Sequence, residues 1–492
     1  MPGTRGRTGL MRLRTVTREL RRIVGDEAVR DGPSELLAYS YDGTFQQAMP
    51  MAVAMVRATE QVSAILRLAG EEEIPVVARG TSTGLAGGSI PPNGAIVLNL
   101  ARMRSIREVD PGDGMAVVEA GVITGDLHQA VERIGFFYPP DPASLRQCTI
   151  GGNLACNAGG PRCLKYGVTR DYVRGVVAVL ADGTVVQAGG RTLKSSTGYA
   201  LPHLFVGSEG TLGVITEATL RIIPLPRGRA SALAFFSSLE DAANTVTSVL
   251  AEGLAPSTLE LMDRLTLSLV EDVVQAGYPR EAEATLLIEA DGPDAATARN
   301  ALGAMAEAAR RTGATEVRVA GSDAEAEELW RARRSISAAL GRVARKKLGE
   351  DVVVPRSRIP EMVRAVGRIA SEHGLRIPLF GHAGDGNLHP NILFDPDRTG
   401  ELIRVQEAAI AIFEEATRLG GALSGEHGVG TLKRAFLERN LGVAAVDTMR
   451  KIKDALDPQG ILNPGKLFPD RAETGWESFL EMLPALSGST PG

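Results

Sequence analysis

The chain has 492 residues and a formal net charge of -5, with 44% hydrophobic and 23% charged residues. This composition is typical of a folded protein with sizeable cores and excludes a disordered chain. The length suggests roughly two to four domains of about 150 residues each. The negative charge, with no long basic tract beyond the first twenty residues, argues against nucleic acid as a partner.

The three cysteines, Cys148, Cys156 and Cys163, lie in one short stretch without a Cys-x-x-Cys pair. This argues against a disulfide framework, a zinc ribbon or an iron–sulfur cluster held by this chain alone, and it favours a reducing, cytoplasmic setting. No apolar run approaches the roughly 18 residues of a transmembrane helix. The Arg-rich start lacks the apolar core of a secretory signal, and Met11 is an alternative first residue.

The first half of the chain predicts an α/β or α+β unit, because helical periodicity alternates with short apolar strands and loops rich in Gly and Pro. Tyr138–Gly160 is predicted as a long Gly-rich loop, of the kind that compact domains reserve for function. Asp182-Gly183 predicts a hairpin. The predicted elements are helix Glu60–Glu73, strands Val76–Ala78, Ile96–Leu98 and Ala116–Glu119, helix Thr124–Ile134, strands Gly175–Leu180 and Thr184–Gln187, and the β-rich stretch Leu212–Pro226.

After Pro226 the sequence changes to Ala- and Glu-rich helices separated by strands, which is typical of a separate α+β domain with an antiparallel sheet. The predicted elements are helix Leu239–Glu252, strand Thr285–Glu289, helix Asp294–Arg311, strand Glu316–Ala320, helix Glu325–Lys347 and, near the end, helix Val446–Leu456. We expect an N-terminal extension at 1–35, a first domain at 36–226, a second domain at 227–440, and a C-terminal segment at 441–492 that returns to the first domain.

Three Gly-rich loops lie in the first domain. Arg79–Ser89 opens directly from a strand, so its backbone N–H groups can converge on phosphate oxygens, although a strained loop is the alternative. Its glycine spacing matches neither the Rossmann nor the P-loop fingerprint. The second loop is Ile150–Gly160, behind Pro139–Ser144, and the third is Gly207–Gly213. Together they suggest one extended ligand with a phosphate end and a ring end.

Two short Gly-flanked segments of the second domain hold three of the six histidines. His382 and His389 flank Gly384-Asp385-Gly386-Asn387, a turn sequence that would fold a strand back and bring both imidazoles to one ion. Glu426 would complete a set of two imidazoles and one carboxylate with open positions for substrate. Hydrogen-bonded core residues are one alternative. A non-haem iron triad is another, but it would leave the three loops unexplained.

The three loops in this order, with Lys165-Tyr166-Gly167 between the second and third, resemble the FAD-binding domain of the vanillyl-alcohol oxidase and p-cresol methylhydroxylase group. From about 36 to 468 the chain resembles FAD-linked 2-hydroxy-acid dehydrogenases such as the glycolate oxidase flavin subunit and cytochrome-type D-lactate dehydrogenase. The resemblance implies an α+β fold. It would consist of a PCMH-type FAD-binding domain and a ferredoxin-like α+β cap domain with an antiparallel sheet, which would bind the substrate.

The resemblance implies that all three loops bind FAD. The pyrophosphate would lie on Arg79, Gly80, Thr81, Ser82, Thr83, Gly84, Leu85, Gly87, Gly88 and Ser89. The ribityl chain and flavin would lie along Pro140, Asp141, Ser144, Gly151, Gly152, Asn153, Asn157 and Gly159, with Glu209, Gly210 and Gly213 nearer the adenine. Asn463 would return to the flavin edge, or only form a turn. Covalently flavinylated relatives carry His or Cys in place of Thr83, so non-covalent FAD is expected.

The resemblance also implies the roles in catalysis. A divalent metal, usually zinc in similar dehydrogenases, with manganese or iron as alternatives, would bind His382, His389 and Glu426. Because neighbouring side chains diverge in extended backbone, His427 would face the flavin and take the hydroxyl proton while hydride moves to flavin N5. Arg333 would bind the substrate carboxylate. Asn391 would hydrogen-bond the substrate or orient a ligand.

The expected substrate is a small 2-hydroxy acid, glycolate or D-lactate. Relatives that act on longer dicarboxylic acids carry a lysine where this chain has Gly349 or Glu350, which disfavours 2-hydroxyglutarate. Electrons would leave to a quinone, an electron-transfer protein or an iron–sulfur partner subunit. A homodimer or a hetero-oligomer is expected, with membrane attachment only through a partner. A flavin subunit inactive alone, a D-2-hydroxyglutarate dehydrogenase and a non-redox alkyl-glycerone-phosphate synthase type remain the alternatives.

Overall fold

The computed structural model describes residues 4–44 and 46–469. Helices and strands are mixed, as the α+β prediction requires. None of the described helices is both long and apolar enough to cross a bilayer. The helices are Thr4–Val24, Pro33–Leu37, Thr59–Glu71, Thr124–Glu132, Ile150–Cys156, Cys163–Tyr166, Thr169–Tyr172, Leu201–Phe205, Leu239–Ala251, Arg264–Val274, Ala295–Arg311, Asp323–Arg334, Ile336–Val343, Ile359–His373, Glu401–Arg418, Leu437–Leu441 and Val443–Leu456.

The first sheet has four strands, in the order Val29–Arg30, Ala52–Met55, Ile96–Asn99 and Val76–Arg79. The last three run parallel, and each is a short apolar run buried on both faces, as parallel strands require. Val16 and Leu20, from the segment expected to be an N-terminal extension, lie fully buried in its core. Leu462 of the C-terminal segment adds a parallel bridge to Val76 beside the start of the first Gly-rich loop.

The second sheet has five antiparallel strands, in the order Ile106–Asp110, Met115–Glu119, Val214–Arg221, Val173–Val179 and Val185–Gly189. The Asp182-Gly183 hairpin prediction is confirmed, because the strands on either side of it pair antiparallel. A short two-stranded pairing, Phe136–Phe137 with Ile223–Pro224, lies beside this sheet. The loops that leave the first and second sheets meet on one side, where they form a cavity.

The third sheet has eight antiparallel strands. Four helices, from 239–251, 295–311, 359–373 and 401–418, pack on one face, and helices from 264–274, 323–334 and 336–343 cover the other. The inner strands therefore have their apolar side chains buried, whereas the edge strand Ala314–Val319 has no fully buried residue. The strands are Ala314–Val319, Gly228–Phe236, Ala284–Gly292, Thr258–Asp263, Leu379–His382, Asn387–Phe394 and Lys346–Gly349, with Val352–Val353 paired beside Asn387–Phe394.

Two predictions of local structure were wrong. The predicted loop 138–160 contains the helix Ile150–Cys156, because Thr149 caps its N-terminus by accepting the N–H of Gly152. The predicted helix 325–347 is two helices and a strand. The helical run breaks near Ser335, and Lys346–Gly349 pairs with residues 391–394, so sheet contacts override helical propensity there.

Candidate active site

A hairpin brings His382 and His389 together. The strands Leu379–His382 and Asn387–Phe394 pair antiparallel through the predicted Gly-Asp-Gly-Asn turn, with Phe380 opposite His389 and His382 opposite Asn387. Paired residues share a face, so both histidines project to the same side of the sheet. Their ring centroids lie 5.1 Å apart.

Glu426 stands between the two histidines. Its Oε1 lies 3.4 Å from Nε2 of His382 and 3.4 Å from Nε2 of His389. Two ligand atoms about 2.1 Å from a tetrahedral ion are separated by about 3.4 Å, so these three atoms are spaced as metal ligands. Burial lowers the pKa of His389 to about 3, so its ring is neutral at pH 7 and can donate a lone pair. The donor set therefore fits a divalent cation.

Glu260, which the sequence analysis missed, fixes the orientation of His382. It is completely buried, and its Oε1 lies 2.6 Å from Nδ1 of His382. The other oxygen, Oε2, accepts a hydrogen bond from Nε of Arg333 at 2.7 Å. A carboxylate on Nδ1 leaves Nε2 as the metal-facing atom. The one signal in the sequence is an acid flanked by the apolar residues Leu259 and Leu261 in the strand Thr258–Asp263.

Asp351 holds the backbone of the loop that carries Glu426 and His427, and it too was missed. Its Oδ2 accepts the N–H groups of Gly425, Glu426 and His427 at 3.0, 3.1 and 2.9 Å. With His389 and His427, Asp351 forms a second set of donor atoms within 4.8 Å of one another. Because Oδ2 is already hydrogen-bonded to the loop and Oδ1 accepts a hydrogen bond from the amide of Asn387, the set with Glu426 is the better metal site.

His427 lies at the junction of two cavities. Its ring stacks on that of His389 at 8° with the centroids 5.4 Å apart, and its Nε2 is 3.9 Å from Oε1 of Glu426. The first cavity is lined by loops of the first domain and the second lies over the third sheet; His427 and Glu426 line both. The imidazole of His427 can therefore contact a ligand in either cavity.

The first cavity has the character of a dinucleotide site. Among the residues that the structure describes, no hydrogen bond uses a backbone N–H of Gly80–Ser89 as donor, so these N–H groups are available to phosphate oxygens. Ser82 has φ 62° and Gly87 has φ 78°, which lets the loop curl around a ligand. The predicted residues that line this cavity are Arg79, Gly80, Thr81, Ser82, Thr83, Gly84, Leu85, Gly88, Ser89, Ser144, Gly151, Gly152, Asn153, Glu209, Gly210 and Gly213.

The remaining predicted FAD residues do not line this cavity. The carbonyl of Pro140 is 2.9 Å from Nε2 of His128. Asn157 ends a helix in the left-handed region, and Gly159 packs against Glu426. Gly87 faces Thr431 and Gln46, and Asp141 lines the second cavity. Local hydrogen bonding and packing account for their positions.

Two predicted residues tie the domains together: Glu209, which also lines the first cavity, and Asn463, which does not. The carboxylate of Glu209 accepts the N–H groups of Val429 and Gly430 at 2.6 and 2.8 Å, so it anchors the loop after His427. The side-chain amide of Asn463 donates to the carbonyls of Gly88 and Glu209 at 2.9 and 2.7 Å. Both contacts join the Gly-rich loops to segments from elsewhere in the chain.

The second cavity, of about 730 Å³, lies over the face of the third sheet that carries His389. His382, His389, Glu426 and His427 line one end, together with Arg333 and Asn391. The amide of Asn391 donates to the carbonyl of His389 at 2.9 Å, which orients it beside the histidines. All the residues predicted to bind substrate or metal are therefore brought to one end of one cavity.

Comparison with known proteins defines the class. A family profile described as "FAD binding domain" matches residues 50–189, and one described as "FAD linked oxidases, C-terminal domain" matches residues 225–467. The fold matches that of p-cresol methylhydroxylase with substrate bound, at a TM-score of 0.78 and 18% identity over 94% of this chain and 98% of that one. The protein is an FAD-linked oxidoreductase with a PCMH-type FAD-binding fold.

Two curated relatives define the family more narrowly. The chain is 44% identical to "Glycolate oxidase subunit GlcD" of Bacillus subtilis over 92% of this chain and 96% of the relative. It is 37% identical to "D-lactate dehydrogenase" of Anaerostipes hadrus over 90% of this chain and 94% of the relative. The chain belongs to the family of FAD-linked oxidases that contains these glycolate oxidase subunits and D-lactate dehydrogenases.

Proposed function

We propose that this protein oxidises a small 2-hydroxy acid, glycolate or D-lactate, to the 2-oxo acid, with FAD as the hydride acceptor and a divalent metal held by His382, His389 and Glu426. The observation that supports this most directly is the position of His427. It borders the cavity that fits FAD and the cavity that contains the metal donors. A base at this junction can reach a hydroxyl bound beside the metal.

Each residue has a defined task in this proposal. When bound, FAD and the metal supply a hydride acceptor and a Lewis acid that acidifies the hydroxyl. His427 accepts the hydroxyl proton on its imidazole ring. Asp351 keeps His427 and Glu426 in place through their backbone N–H groups. Asn391 offers its carbonyl oxygen to the substrate while its amide is held by His389.

Arg333 supplies the cation for the substrate carboxylate. Its Nε and Nη2 bond to Glu260 at 2.7 and 2.5 Å, so the side chain is held in one orientation. A guanidinium has five N–H donors, and those not used by Glu260 remain for a carboxylate in the cavity. A guanidinium held in one orientation favours a planar bidentate contact with both carboxylate oxygens of a 2-hydroxy acid.

The metal is proposed to be zinc, with manganese or iron as alternatives. Two imidazoles and one carboxylate are a typical donor set for catalytic zinc and leave room for a substrate oxygen. The non-redox synthase alternative leaves these three converging donors without a role. Metal-assisted oxidation gives a role both to these three donors and to His427.

Reduced FAD must pass its electrons to an acceptor. The relatives named as glycolate oxidase subunits suggest a partner subunit, and a quinone or a small electron-transfer protein would serve the same purpose. A flavin subunit that is inactive without partners is therefore the second candidate. It differs from the self-sufficient dehydrogenase in one measurable property, namely whether the isolated chain reduces its own flavin.

Anaerobic titration of the purified FAD-loaded protein with D- and L-2-hydroxy acids tests the proposal. Prompt bleaching of the flavin absorbance by glycolate or D-lactate is the expected result. Bleaching that requires added partner proteins would favour the subunit alternative. Failure of every 2-hydroxy acid to bleach the flavin, with or without partners, would contradict the proposed function.

A further inference from the structure

The strand Ala314–Val319 forms the outer edge of the third sheet. Among the strands that the structure describes, it pairs on one side only, with Gly228–Phe236. None of its residues is fully buried, so the helices on the two faces of the sheet leave it accessible, and Val319 is 53% exposed. Folded proteins usually cover such an edge or interrupt it with a proline, because an open edge can pair with a strand of another chain.

The backbone of this edge strand offers hydrogen bonds outward. The N–H of Ala320, just after the strand, donates to the carbonyl of Ser231 on the neighbouring strand at 3.0 Å. Hydrogen-bonding groups alternate between the two sides of an antiparallel strand, so the N–H and C=O groups of Val317 and Val319 point away from that neighbour. No strand within residues 4–44 and 46–469 pairs on that outer side. These groups are therefore available to a strand from another molecule.

The charges on the edge strand are complementary to themselves. Glu316 and Arg318 are two residues apart, so they share a face of the strand, and Oε1 of Glu316 lies 2.5 Å from Nε of Arg318. If the strand pairs antiparallel with its own copy, with Val317 opposite Val317, each Glu316 lies opposite an Arg318 of the second copy. Residues at these positions have Cα atoms about 4.5 Å apart and side chains in close contact. Each charge would then have an opposite charge both along its own strand and across the pairing.

An apolar pair would form at the centre of this pairing. Val317 lies on the opposite face of the strand from Glu316 and Arg318, where it packs at the border of the main core of the sheet and stays half-buried. Val317 of the second copy would lie directly beside it, so each valine would shield the other from water. The irregular part of the pairing with Gly228–Phe236 lies before residue 316, so the backbone from 316 to 319 is regular.

We propose that the strand Ala314–Val319 joins two copies of this chain into a symmetric dimer, the edge dimer, by antiparallel pairing centred on Val317. A two-fold axis through Val317 makes the same surface face itself, and the third sheets of the two copies become one continuous sheet. The strand Leu379–His382 is the fourth from this edge, roughly 19 Å away across the sheet. The active sites of the two copies therefore lie on separate parts of the dimer, and the proposal does not rest on the proposed function.

Charge reversal tests the edge dimer. Sedimentation velocity over a series of protein concentrations gives the dimer dissociation constant of the FAD-loaded wild type, Glu316→Arg, Arg318→Glu and the double variant Glu316→Arg/Arg318→Glu. The control is Arg22→Glu, which reverses one member of an exposed ion pair with Glu19 in the first domain. FAD content and melting temperature verify that each variant folds.

Opposite charges across the interface should decide whether the dimer forms. In either single variant like charges face each other at both symmetric positions, and we expect the dissociation constant to rise at least about tenfold. The double variant restores opposite charges and should return to the wild-type value, as should Arg22→Glu. An equimolar mixture of Glu316→Arg and Arg318→Glu should form a heterodimer more stable than the homodimer of either variant.

Cysteine substitution tests the register of the pairing independently. In Val317→Cys the two copies of residue 317 lie opposite each other with Cα atoms about 5.5 Å apart, which is within reach of a disulfide. In Val319→Cys the two cysteines are offset by four residues along the strands, about 13 Å, which is too far. Oxidation with diamide should therefore give covalent dimers of Val317→Cys. Val319→Cys should not exceed the wild-type level, although residue 319 is the more exposed of the two.

Three results would overturn the edge dimer. The first is a wild type that sediments as a single chain at every concentration. The second is a dissociation constant that is the same in the wild type and in both single charge variants, because the dimer would then use another surface. The third is covalent dimerisation of Val319→Cys without that of Val317→Cys.

Discussion

Oε1 of Glu260 lies 2.6 Å from Nδ1 of His382, although 122 positions of sequence separate the two residues. The same carboxylate binds Arg333 through its other oxygen. One buried acid therefore orients a proposed metal ligand and the proposed carboxylate-binding cation. A change at Glu260 therefore affects both the metal ligand His382 and the carboxylate-binding residue Arg333.

Glu260→Gln weakens metal binding by about 10- to 100-fold, because a neutral amide no longer fixes and polarises His382. Metal affinity is measured by competition with a chromophoric chelator on protein that retains FAD. Glu283→Gln removes an exposed carboxylate that pairs with Arg264 and is the matched control. Unchanged metal affinity in Glu260→Gln would show that the contact with His382 has no role in the metal site.

His427→Gln lowers the rate of flavin reduction by about 10²- to 10⁴-fold, which is the usual contribution of a positioned base. The metal donors and the FAD cavity remain, so metal and FAD content should match wild type. Anaerobic stopped-flow absorbance gives the rate. A variant that reduces its flavin at the wild-type rate would remove His427 from the reaction.

Metal binding to the metal-free protein releases about one proton at pH 7. Burial disfavours the charged form of His382, but Glu260 and Glu426 outweigh it and raise the pKa of His382 well above its usual range. Burial likewise opposes ionisation of Glu426, yet the neighbouring imidazoles bring its pKa to about 2, and His389 is already neutral. Only His382 must lose a proton, so affinity rises with pH.

Calorimetry in buffers of different ionisation heat counts the released protons. Below the pKa of His382 the logarithm of the affinity should rise by about one for each pH unit. Affinity that is independent of pH, with no proton release, would contradict the assignment of His382 as a ligand.

Gly430→Ala disrupts the FAD cavity. Gly430 has φ 52°, and a Cβ there would lie 1.9 Å from the carbonyl oxygen of Ala86 in the first Gly-rich loop. Gly420→Ala is the control, since Gly420 has φ 78° but open space around it and should cost only about 1 kcal/mol of stability. FAD content after gel filtration should fall in Gly430→Ala alone. Full FAD content would show that this contact does not shape the cavity.

The parts of the site that depend on local sequence were predictable. Gly384-Asp385-Gly386-Asn387 specifies a turn by its own chemistry, and the predicted return of the strand between His382 and His389 is confirmed. The β-rich and helical segments followed from periodicity in the same way. The structure of a short motif with a strong turn signal is determined by its own residues and does not depend on distant contacts.

The supporting residues were not predictable, because their roles depend on contacts between distant segments. Glu260 is an ordinary acid in an apolar strand until the sheet places it beside His382. Asp351 acts on a loop that lies 76 residues away from it. The end of the predicted helix 325–347 follows from the pairing of Lys346–Gly349 with a strand later in the chain. Tertiary pairing overrides local propensity at these positions.

Flavin reduction with and without metal tests the central claim most directly. FAD-containing protein is stripped of divalent ions with a chelator, reloaded with zinc, manganese or iron, and mixed anaerobically with glycolate or D-lactate in a stopped-flow spectrometer. We predict that reduction slows by at least about a hundredfold on stripping and returns with one of the metals. Stripped protein that bleaches its flavin as fast as loaded protein would contradict a role for His382, His389 and Glu426 as metal ligands in the reaction.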